Sequence, residues 1–72
     1  MMKIELNKSL YRVAAVREAA ASFRELATIS VSASGEKIVV TLAHPAEDVE
    51  LKPLCDEFLN HALAATIARR GA

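Results

Sequence analysis

The sequence predicts an α+β fold: a two-layer βαββα domain whose three-stranded mixed sheet, in the order 1-3-2, carries two helices on one face. Three observations predict it. Residues 2–6, 28–33 and 37–42 place apolar side chains with the two-residue period of a strand. Residues 10–26 and 53–69 instead repeat theirs at spacings of three and four, as a helix requires. Only Ser34-Gly35-Glu36 separates the second and third strand patterns, a hairpin spacing in which Gly35 supplies a positive φ.

In the first strand Met2, Ile4 and Leu6 share a face and Lys3 and Glu5 the other, a charged alternation suited to a sheet edge. Asn7 or Ser9 is placed to cap the first helix, expected from about Leu10 to Leu26. Val13, Val16, Ala20, Phe23 and Ala27 form its narrow apolar face, flanked by Ala19 and Leu26, with Arg12, Glu18, Ser22 and Glu25 opposite. Ile29, Val31 and Ala33 alternate with Thr28, Ser30 and Ser32 in the second strand. In the third, Ile38, Val40 and Leu42 point to the core and Val39 and Thr41 away; this most apolar strand belongs in the centre. His44-Pro45 ends it.

The second helix is expected to begin between Glu50 and Pro53, the proline in its first turn, and to run to about Arg69. Leu54, Cys55, Phe58, Leu59, Ala62, Ala65 and Thr66 gather on one side, Gly71 is the natural stop, and Arg69 and Arg70 complement the negative helix end. A right-handed crossover makes strand one parallel to strand two, and the hairpin sets strand three antiparallel to strand two and between the others.

The 72 residues fit one small domain, and an apolar fraction of 53% argues against disorder. Alanine supplies much of that fraction and contributes little buried area, so a homodimer or a bound partner is expected to complete the stability of so small a core. Formal net charge is zero, which removes the electrostatic footprint of a nucleic-acid binder. No apolar run reaches the roughly 20 residues that span a bilayer, and no signal peptide is visible, so no membrane role and a cytoplasmic location are expected. The lone Cys55 fits a reducing compartment.

Chemistry needs convergent groups, and few candidates exist. His44 sits in a loop beside Pro45, and His61 falls at the edge of the second helix. Neither histidine has a metal-ligand spacing partner, and Cys55 and His61, six residues apart, lie on different sides of a helix. Cys55 faces the core, with Asp56 and Glu57 as neighbours that disfavour a thiolate. Adjacent carboxylates such as Glu47 and Asp48 point apart, and no phosphate-cradling glycine loop occurs. The acidic stretch 44–58 reads as solvated surface or as a face for a basic partner. The chain is therefore expected to be non-catalytic, with no cofactor or metal.

Two surfaces suit binding. Ser30, Ser32, Val39 and Thr41 line the outer sheet face beside strand edges that can accept an extended peptide. Leu59, Leu63 and Ile67 form a stripe rotated off the main apolar side of the second helix, which either lies deep in the sheet groove or makes a seam for another subunit or protein.

Tyr11 to Phe23 (YRVAAVREAAASF), followed by the alternating ISVSASGEKIVVTL, resembles the HxsD-like proteins of the His-Xaa-Ser system, and Phe58-Leu59-Asn60 is similar to the start of that family's Leu-Leu-Asn-Asp-Tyr-x-Leu-Arg-Glu signature. After Asn60 the sequences part: His61 and Ala62 stand where Asp and Tyr would be, and Ala64, Ala65 and Thr66 replace Leu-Arg-Glu. The resemblance implies a small accessory protein of a peptide-modification cassette, partnered with a radical-SAM maturase. The alternative from a different class is a structural homo-oligomer with no peptide-binding role.

Overall fold

A computed structural model describes residues 1–70 in the order β1 (Met2–Asn7), α1 (Val13–Ser22), β2 (Thr28–Ser34), β3 (Lys37–Ala43) and α2 (Leu51–Arg70). Gly71, read as the stop of the second helix, lies outside the described residues, as does the side chain of Arg70. The sheet order is β1-β3-β2 as expected, but β3 is antiparallel to both neighbours, so both pairings are antiparallel where a mixed sheet was expected: with β3 between them, the parallel strands β1 and β2 never pair. β1 and β2 thus run parallel to each other without touching, as the right-handed crossover predicts.

The centre of the sheet carries the centre of the core. Ile38, Val40 and Leu42 of β3 are fully buried, together with Val16 and Ala19 of α1 and Phe58 and Ala62 of α2. Ala15, Ala19 and Ala62 are fully buried, and side chains this small allow close approach of the helices to what they pack on. The rings of Phe23 and Phe58 meet edge to face, centroids 6.0 Å apart at 84°, and close the far end of the helix pair.

The hairpin loop is the two residues Gly35 and Glu36, since Ser34 pairs with Lys37. Gly35 takes φ +58° at the first loop position, as a type II′ turn demands. Ala33 keeps the parity of Ile29 and Val31 but is exposed, because it lies at the end of β2 beyond the cover of the helices.

α1 is shorter at both ends than its periodicity predicts. Asn7 does not cap it: its Oδ1 accepts the Ser9 N–H at 2.8 Å, and its carbonyl accepts from Leu10 and Tyr11. This tight turn uses up residues 8–11, and the helix starts after an extended Arg12 (φ −89°, ψ 135°) that supplies no side-chain cap. At the other end, Phe23 to Leu26 form tightened turns; the Leu26 N–H donates to the Phe23 carbonyl at 2.9 Å. In α2 the Leu54 N–H bonds the Glu50 carbonyl at 3.2 Å, so Pro53 occupies a first-turn position where its missing N–H removes no helical bond.

Candidate functional site

The register of the sheet assembles the outer face in rows. Ser30 stands opposite Thr41, which stands opposite Lys3; Ser32 stands opposite Val39, which stands opposite Glu5. The next row joins Ser34, Lys37 and Asn7. Ser30 and Ser32 are exposed and Val39 and Thr41 half-buried. The rows place hydroxyl groups on β2, short apolar and hydroxyl side chains on β3, and charges on β1. Within the described residues β2 has β3 as its one strand partner, so its outer backbone edge is unpaired.

The second predicted group lies on the opposite layer. Leu59 is half-buried against the core, while Leu63 and Ile67 are 40% and 59% exposed. The neighbours that α2 turns toward α1 are Phe58 and His61, facing Phe23, Thr66, facing Arg12, and Arg69, facing Glu18. At about 100° per residue, Leu63 and Ile67 fall on the flank of α2 turned away from α1. α1 packs on β2 and α2 on β3, so that flank is the one on the β1 side. The seven residues read from the sequence therefore make two surfaces separated by the sheet rather than one site.

The candidate reactive groups remain apart. The His61 ring stacks edge to face on Phe23 at 5.6 Å, as part of the helix–helix packing. His44 is exposed, with a left-handed backbone (φ 49°) that turns the chain out of β3. Cys55 is buried against the core; burial pushes its thiol pKa up from the ordinary 9.0, and the neighbouring Asp56 charge pushes it the same way. Among the described residues no three His, Cys, Asp or Glu side chains gather at metal-binding distance, and no helix is long and apolar enough to cross a membrane.

One feature escaped the sequence reading. An open groove of about 510 Å³ runs where α1 begins and α2 ends, lined by Lys8, Tyr11, Arg12, Val13, Ala14 and Arg69. Three basic residues gather there, and the first turn of α1 holds no acidic residue. Arg69 reaches Glu18 at 3.3 Å, which offsets part of the positive potential. Arg12 and Arg69 are 57 positions apart in sequence, so only the antiparallel packing of the two helices brings them together.

No protein-family model, no curated protein and no solved structure matches this chain.

Proposed function

We propose that this chain acts by binding, as a non-catalytic protein whose partner is another protein or an extended peptide. The partner adds as a strand to the open edge of β2, beside Ser30 and Ser32, and the rest of it covers the outer face at Val39 and Thr41. The observation that carries the reading is the outer sheet face beside an unpaired strand edge, where the small side chains Ser30, Ser32, Val39 and Thr41 of β2 and β3 leave room for a second layer. An edge strand supplies backbone hydrogen bonds for affinity, and the alternating side-chain rows supply selectivity. Leu59, Leu63 and Ile67 offer a separate apolar contact on the helix layer.

The HxsD-like resemblance of residues 11–23 and 58–60 supports a setting in peptide modification, with a radical-SAM maturase as the larger partner. The test is selection of unstructured displayed peptides on the full chain, followed by amide exchange with and without the best binder. Slowed exchange in β2, lost in Ser32→Arg, is the expected result. Binding that leaves β2 exchange unchanged, or no selected binder, overturns the reading.

A further inference from the structure

We infer that two copies of this chain join through β1, edge to edge and antiparallel about a two-fold axis at Ile4, so that Lys3 of each copy faces Glu5 of the other. This goes beyond the peptide-binding reading and uses the opposite edge of the sheet.

The backbone of β1 is set for it. The Lys8 N–H donates to the Glu36 carbonyl at 3.0 Å, continuing the ladder in which Asn7 pairs with Lys37. Alternation along the strand then turns the N–H and C=O of Leu6, Ile4 and Met2 toward β3 and those of Lys3 and Glu5 outward. The Asn7 carbonyl fits this phase, because it is spent on Leu10 and Tyr11 instead of on β3. Lys3 and Glu5 are the outward-bonding residues, and an antiparallel pair centred on Ile4 matches each with the other.

The side chains choose the register. Centred on Ile4, Lys3 meets the copy's Glu5 at two symmetric positions, and Met2 meets Leu6 on the inner face. A shift of two residues places Lys3 opposite Lys3 or Glu5 opposite Glu5, like charges in direct contact. A shift of one turns every inward side chain outward. Neither Lys3 nor Glu5 forms an ion pair within the described chain, so both charges are available. The β2 edge, with Thr28, Ser30, Ser32 and Ser34 on the same face, carries no charge to set such a register.

The helix layer continues the same interface. Three strands spaced by about 4.8 Å are narrower than two helices spaced by about 8–10 Å. With α1 on β2 and α2 on β3, the flank of α2 turned toward the β1 side is where Leu63 and Ile67 remain 40% and 59% exposed. The two-fold axis that pairs β1 with its copy brings this flank against the same flank of the second α2, antiparallel, and covers both side chains.

Sedimentation equilibrium of the full chain over about 5 to 500 μM tests the inference, with far-UV circular dichroism confirming that each variant is folded. The expected result is a reversible species of twice 7.8 kDa. Glu5→Lys weakens it at least about tenfold by placing like charges opposite, and Lys3→Glu with Glu5→Lys restores it. Leu63→Asp with Ile67→Asp weakens it as well. A monomer throughout the range, a dimer indifferent to Glu5→Lys, no recovery in the charge-swapped double variant, or indifference to the two aspartates overturns it. Peptide selection is read at β2, so either proposal fails without the other.

Discussion

The hydroxyl of Thr66, fully buried near the end of α2, accepts the backbone N–H of Arg12 at 3.1 Å, just before the first turn of α1. A residue on one helix thus completes the start of another that lacks any cap of its own. Thr66→Val removes the acceptor while keeping the shape, and leaves a part-buried donor unpaired. We expect a loss of about 1–3 kcal/mol in urea unfolding, against about 1 kcal/mol or less for Thr66→Ser, which keeps the oxygen.

Cys55 gives a prediction in pH. Its thiol is neutral in the folded chain, and burial raises its pKa above 9.0, the value it regains on unfolding. The unfolded state therefore releases its proton first as pH rises. The stability from the protonated, buried thiol is fully present below about pH 9 and is lost as pH climbs from there toward the folded-state pKa. Urea midpoints from pH 7 to pH 10.5 should fall less steeply at the alkaline end in Cys55→Ala than in the native chain. At neutral pH, alkylation of native Cys55 should be slow and accelerate on addition of urea.

Gly35 is constrained by its backbone and not by space: a Cβ there would meet nothing within 4 Å, yet φ is +58°. Gly35→Ala should cost about 1–2 kcal/mol from that conformation alone, and Gly35→Asn less, because asparagine tolerates the left-handed region. Thermal unfolding of the three forms orders them directly.

Phe58 is the largest fully buried side chain and holds the edge-to-face contact with Phe23. Phe58→Ala should cost about 3–5 kcal/mol. A domain of this length has about 4–11 kcal/mol in total, so the substitution should remove at least roughly a quarter of the stability and lower the urea midpoint sharply. Phe58→Leu should retain the fold at reduced stability, seen as a lower urea midpoint with an unchanged slope.

The strand order and core of the sheet were legible because Ile38, Val40 and Leu42 repeat with period two beside a glycine hairpin. The buried side of α2 was legible for the same kind of reason, with Leu54, Cys55, Phe58, Ala62 and Thr66 where the helical period puts them. The start of α1 was not. Asn7 and Ser9 have the chemistry of caps, but the local Asx turn that Asn7 forms with the Ser9 N–H competes for the same groups, and the sequence does not show which closure wins. Nor could it show that Thr66 serves Arg12 across 54 positions, since Thr66 reads equally well as a tolerated core residue. For the candidate site, period two correctly placed Ser30, Ser32, Val39 and Thr41 together. The stripe Leu59, Leu63 and Ile67 was visible as a pattern, but its separation from them by the whole sheet is a matter of layers, which no local period records.

The strand that reaches the centre of the sheet is the last of the three to be made. β2 meets β3 across a two-residue loop, whereas β1 must find partners 30 to 40 positions away. The hairpin can therefore close early and on its own, while the N-terminal strand waits for a site that does not exist until residue 43 has emerged. In a nascent or partly melted chain, residues 2–7 are the ones left without a partner, and the side of β3 that they cover stays open until they return.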